Sequence, residues 1–148
     1  MNALIDTGLL LDYLRGDERA AQALRDCAHC SITVATWLEV MRASPHDGRE
    51  ATRAFLRTFE RLSISESSTD EAMRLSFAHP GLGIERAVNW ANAIVNQLVF
   101  MTNDPTFSSS TRRDVLLPYV GTAHAGAPKP RRRSTNGITQ RAEGPDNR

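Results

Sequence analysis

The sequence predicts an α/β fold built on a parallel sheet with helices over both faces. Four short apolar runs, residues 3–5, 31–34, 98–101 and 115–117, alternate with stretches of helical periodicity. That alternation favours parallel pairing, because parallel strands need a helix-sized crossover between them. Breaks fall between the periodic stretches, at Ser44-Pro45-His46-Asp47-Gly48 and at His79-Pro80-Gly81-Leu82-Gly83, where proline and glycine interrupt regular structure.

In order, the first run, Ala3-Leu4-Ile5, ends at Asp6-Thr7, and a helical pattern follows at residues 9–14. A second helix is expected at 18–27, and the run at 31–34 passes into a third at 35–42. Residues 50–62 read as one helix, with Ala51, Phe55, Phe59 and Leu62 on one face and Arg49, Arg53, Arg57 and Arg61 on another. Helices are also expected at 69–78 and 85–97. The arginine stripe is of a kind that meets phosphates, although most charged helix faces are simply solvated.

At 148 residues, 41% of them hydrophobic, the chain suits one domain with a modest core. No apolar stretch approaches the ~18 residues that span a bilayer, and no basic segment leads into a long apolar one. A cytoplasmic protein without a membrane segment is the expectation. Residues 1–120 carry 12 arginines, no lysine and 15 acids, whereas residues 121–148 carry five arginines, one lysine and two acids. The division expected is a domain over 1–120 and a disordered basic tail over 121–148. That tail is rich in proline, glycine and arginine and has too little apolar surface to offset ordering. Cys27-Ala28-His29-Cys30 has awkward spacing for zinc and lies where a helix gives way to a strand, so the two thiols read as small junction residues.

Three acids recur at strand ends. Asp6 follows the first run, Glu39 lies on the helix after the second, and Asp104 closes Met101-Thr102-Asn103-Asp104 after the third. Open α/β sheets bind ligands at the carboxyl ends of their strands. Carboxylates converging there repel one another unless a cation lies between them, and hard oxygen donors suit Mg²⁺ or Mn²⁺. Such an ion polarises a phosphodiester and activates water. Thr7 and Thr102 add hydroxyls. Surface acids and helix caps would account for the same residues.

Leu4-Ile5-Asp6-Thr7, Ile32-Thr33-Val34 with Trp37-Leu38-Glu39-Val40-Met41, and Met101-Thr102-Asn103-Asp104 resemble the PIN-domain ribonucleases, and within them the VapC toxins of type II toxin–antitoxin pairs. The likeness runs through residues 1–120. It implies a three-layer α/β/α sandwich and a Mg²⁺-dependent endoribonuclease acting on RNA. It also implies a homodimer restrained by a VapB-like antitoxin. By position, Asp6, Glu39 and Asp104 would be catalytic, metal-binding acids and Thr102 a supporting hydroxyl. The antitoxin helix of such pairs lies in an apolar groove, for which Leu14, Trp37 and Leu38 are candidates.

The chain departs from the pattern twice. Gly8 stands where the family usually has asparagine, and Arg86 falls where its third metal-site acid is expected. A guanidinium ~5 Å from a divalent ion, at an effective dielectric near 20, repels it by roughly 6–7 kcal/mol before screening. Arg86 has two courses: to turn to solvent while Glu85 supplies a fourth metal-binding acid, or to pair with Asp6 or Asp104 as an internal cation. Neighbouring helix positions differ by ~100°, which makes Glu85 an awkward substitute. The expectation is therefore an active endoribonuclease toxin. Its alternative is a catalytically impaired homologue that keeps dimer and antitoxin binding. No glycine-rich phosphate loop follows the first strand, which argues against a nucleotide-binding domain.

Overall fold

The computed structural model describes residues 1–110 and 112–121; the expected tail, from residue 122 onward, lies outside them. Five strands, β1 (Asn2–Ile5), β2 (His29–Thr33), β3 (Glu60–Leu62), β4 (Val99–Met101) and β5 (Val115–Leu116), form one sheet in the order β3-β2-β1-β4-β5. Every pairing is parallel. Six helices connect them: α1 (Thr7–Leu14), α2 (Glu18–Arg25), α3 (Val34–Ala43), α4 (Arg49–Leu56), α5 (Glu66–Ala78) and α6 (Ile84–Val95).

Alternation along the central strand divides the core in two. Ala3 and Ile5 pack with Leu9 and Leu10 of α1, Ala20 and Ala23 of α2, Val40 of α3 and Leu56 of α4. Leu4 points the other way, into Leu75 of α5, Trp90 and Ala91 of α6, and Phe100. The result is the expected α/β/α sandwich. None of its described helices is long and apolar enough to cross a membrane.

One element differs from the sequence expectation. The helix expected over 50–62 ends at Leu56, and Glu60–Leu62 is instead the edge strand β3. Periodicity misled because Phe55 and Phe59 keep helical spacing across the break: Phe55 stacks on Tyr13 at 4.7 Å, and Phe59 meets Phe55 edge-on at 5.1 Å. The arginine stripe is consequently not one helix face. Arg53 lies on α4, Arg57 caps it, and Arg61 belongs to β3. The two cysteines do lie at a helix–strand junction and are unpaired; burial pushes the Cys30 thiol up to about 12.

The connectivity also locates the candidate site. From β1 the chain proceeds outward through β2 and β3, then returns to place β4 on the other side of β1. The reversal leaves a crevice at the carboxyl ends of β1 and β4, where such folds bind ligands. Ile5 pairs with Met101 in register, so Asp6 and Thr102 emerge side by side.

Candidate functional site

Asp6 ends β1 and caps α1, its Oδ1 accepting the Thr7 amide at 3.0 Å, where the positive end of a helix favours a carboxylate. Its side chain is only 4% exposed. Oδ1 also accepts from Asn89 Nδ2 at 3.3 Å, and Oδ2 accepts from the Thr102 hydroxyl at 2.7 Å. Thr102 Oγ1 in turn accepts the Asp104 amide. Asp104 caps the short 3-10 helix Pro105–Phe107 through Oδ1, leaving Oδ2 turned to Arg86.

Arg86 comes from the first turn of α6 and inserts between the two acids. Its Nη2 lies 2.8 Å from Asp104 Oδ2, and its Nε lies 3.7 Å from Asp6 Oδ2. That Nε is buried without a hydrogen-bond acceptor. The guanidinium thus binds Asp104 closely while remaining just short of hydrogen-bonding distance from Asp6. Of the two courses open to it in the sequence, the structure has the internal cation.

A buried polar network supports Asp6 from behind. Thr33 caps α3 by accepting the Thr36 amide, and its hydroxyl donates to Asn89 Oδ1 at 2.6 Å. Asn89 spends its two Nδ2 hydrogens on Asp6 and on Thr36 Oγ1, the latter at 3.1 Å. The hydroxyl oxygens of Thr36 and Thr7 are 3.1 Å apart, and Thr7 donates to Glu85 Oε1 at 2.6 Å. Thr33, Thr36 and Asn89 are all fully buried. With its donors and acceptors satisfied internally, such a network holds its members rigidly.

The structure therefore brings together Asp6, Thr102 and Asp104, and adds Glu85 from the adjoining turn. The Glu85 carboxyl is pushed above the usual carboxylate range, chiefly by desolvation, with the charges of Asp6 and Glu39 adding to it. The Thr7 hydrogen bond and Arg86 oppose that rise. Glu85 and Arg86 both reach the pocket, despite their angular separation, because both are long side chains in the opening turn of α6. Glu39 is different. It lies one turn beyond Thr36, bonded to Arg42 at 2.9 Å and 38% exposed, and its charge helps to raise the Glu85 carboxyl. The α3 residue that hydrogen-bonds within the pocket is Thr36, a neutral residue that a pattern of acids does not mark. Asn89 was missed likewise. The available signal was a polar residue between Ala87 and Trp90-Ala91 on the buried side of α6.

Among the described residues no group of three or more histidine, cysteine or acidic side chains is placed to hold a metal ion. Donor chemistry points the same way. The two Asp6 oxygens already accept three hydrogen bonds, and the Asp104 oxygen facing the pocket is held by a guanidinium. The arrangement suits an internal cation and does not fit a divalent one.

A parallel five-stranded sheet between helical layers, with acids at the β1/β4 crevice, defines the PIN-like class. No family model matches the chain, and a comparison with curated proteins finds no match. Among solved structures, it is similar to a chain of a toxin–antitoxin complex from Klebsiella pneumoniae. The two are 30% identical with a TM-score of 0.74, over 80% of this chain and 99% of that one. The fold is also that of a chain of VapBC2 from Rickettsia felis bound to a promoter DNA fragment (16% identity, TM-score 0.61, 73% and 92% of the two chains). A chain of VapBC-5 from Mycobacterium tuberculosis shares it too (20% identity, TM-score 0.52, 78% and 95%). At that identity over nearly all of the Klebsiella chain, the protein belongs to the family of that toxin–antitoxin chain, and it has the PIN-like fold shared with the VapBC chains.

Proposed function

We propose that this chain is the toxin-side member of a cytoplasmic toxin–antitoxin pair, and that Arg86 closes its acidic pocket to divalent metal. In this state it acts through binding its antitoxin and a second copy of itself rather than by cutting RNA. The carrying observation is the Arg86 guanidinium, 2.8 Å from Asp104 and 3.7 Å from Asp6. Mg²⁺ or Mn²⁺ would have to displace a charge of its own sign and break hydrogen bonds that Asp6 already accepts. Apolar side chains suited to partners remain uncovered. Leu14 is 40% and Leu38 61% exposed, while Met73 and Phe77, four residues apart on α5, are 56% and 78% exposed. Trp37, the third groove candidate, is half-buried beneath Arg61.

A second reading, a Mg²⁺- or Mn²⁺-dependent endoribonuclease, is favoured by Glu85. Its carboxyl shares the pocket, and its Oε2 has no hydrogen bond among the described residues.

Calorimetric titration of Mn²⁺ separates the two, using the full chain, Arg86→Ala, and Arg86→Ala combined with Asp6→Asn, with labelled RNA as a cleavage probe. The expected result is no binding and no cleavage by the natural chain in millimolar Mn²⁺. Binding should appear in Arg86→Ala and vanish in the double variant. Metal binding and cleavage by the natural chain would overturn the first reading and leave the second.

A further inference from the structure

We propose that the cavity between α3, α4 and β3 docks the phosphodiester backbone of a single-stranded nucleic acid, at a site separate from the acidic pocket. This cavity of about 460 Å³ is lined by Arg53, Arg57, Arg61, Trp37, Leu56 and Phe59. Three guanidiniums in one concavity repel one another, and the fold supplies little to neutralise them. Arg53 has only the exposed Glu50, at 3.8 Å. Among the described residues no carboxylate lies within ion-pair distance of Arg57 or Arg61. Of the other described arginines, Arg19, Arg25, Arg42, Arg74, Arg86 and Arg112 each have a carboxylate within 3.0 Å. Arg49 and Arg113 have none within ion-pair distance among the described residues, but neither lines this cavity.

The nearest acid in sequence cannot help. Glu60 precedes Arg61 on β3, so its side chain leaves by the opposite face, where it meets His29 at 2.7 Å. The carboxyl end of α4 welcomes a cation at Arg53 or Arg57, but that field does not account for Arg61, which arrives from another element.

The chemistry is that of a strand. Arg53 and Arg57 are four residues apart, ~6 Å along the helix axis, a step like that between successive phosphates of an extended chain. Arg61 stacks on the Trp37 ring at 4.5 Å, which fixes the guanidinium plane and leaves its N–H edge to fork onto a phosphate. Basic grooves with aromatic walls bind single strands with little regard to sequence. The site does not depend on whether the acids cut, and Asp6→Asn should leave it intact.

The test is fluorescence anisotropy with labelled oligouridylate and oligothymidylate, without divalent ions, across a salt series. The full chain is compared with Arg53→Gln/Arg57→Gln/Arg61→Gln and with the single Arg57→Gln. The triple variant should weaken binding at least tenfold at low salt and flatten the logarithmic salt slope by about 2, the single variant by about 0.7. Replacing Arg131, Arg132 and Arg133 by Gln should have the smaller effect. Binding of both oligomers identifies the shared backbone as ligand, and binding of the uridylate alone identifies RNA. Unchanged affinity and slope in the pocket variants would overturn the proposal. So would equal competition by polyglutamate, which would make the cavity a seat for an acidic peptide.

Discussion

Arginine serves opposite ends in two parts of this molecule. At the carboxyl edge of β1 and β4 one guanidinium stands among acids and neutralises them. Beside β3 three guanidiniums gather with a single, exposed carboxylate, 3.8 Å from one of them. In the first region the Asp6 carboxylate and the network behind it are bonded within the fold, although the Arg86 Nε is buried without an acceptor. The second carries charge that one exposed carboxylate, Glu50, leaves largely unbalanced among the described residues, and so is suited to a partner. Weakly paired guanidiniums gathered in one cavity, more than the count of charges, separate the binding arginines from the structural one.

The comparison predicts unequal costs of mutation. The largest belongs to the network that holds the acidic region: Asn89→Leu removes the partner of Thr33, Thr36 and Asp6 at once. Losing buried bonds, one of them to a charged acceptor, should lower unfolding free energy by about 3 kcal/mol, measured by urea denaturation. Arg86→Met should cost less, about 2 kcal/mol, because breaking a buried ion pair is discounted by the partial exposure of Arg86. Added Mn²⁺ should recover part of that loss by binding the vacated position, raising the melting temperature of the variant and not of the natural chain. Arg57→Gln should change stability by no more than ~0.5 kcal/mol, since that side chain is exposed and has no carboxylate to lose. A cost comparable to that of Arg86→Met would erase the distinction.

The sequence revealed the sandwich and the β1/β4 acids because both depend on local patterns. Apolar runs mark β1, β2 and β4, and the residues just past them, Asp6 and Thr102 through Asp104, fall at the crevice by connectivity alone. β3 was hidden because a three-residue edge strand containing Glu60 and Arg61 has no apolar run, while Phe55 and Phe59 prolong the helical pattern. Within the site, attention to charge favoured Glu39 over Thr36. One turn of α3 decides between them: Thr36 lies close to the strand end and turns inward, whereas Glu39 is carried outward to Arg42. Arg86 as an internal cation was legible because a single basic residue among acids has few other places to go.

Strand β3 contains the same contrast on its two faces, and it yields the smallest effect. Glu60 and Arg61 are adjacent, one paired with His29 and the other turned to the arginine cavity. The His29 hydrogen bond, with help from Ser31, holds the Glu60 carboxyl below its usual value of 4.5. A carboxyl depressed in the folded state contributes stability that is fully present above its unfolded pKa. That contribution is lost as pH falls through the folded value. Glu60 is surface-exposed, so the effect should be small and confined to pH below about 4.5. In an NMR titration the Glu60 side-chain midpoint should rise toward 4.5 in His29→Ala, while Arg61→Gln should leave it in place. If Arg61→Gln moved the midpoint as far as His29→Ala does, the two faces of β3 would share their charges. The cavity arginines would then have a neutralising acid after all, and the division between the closed region and the open one would fail at the strand where it is drawn most narrowly.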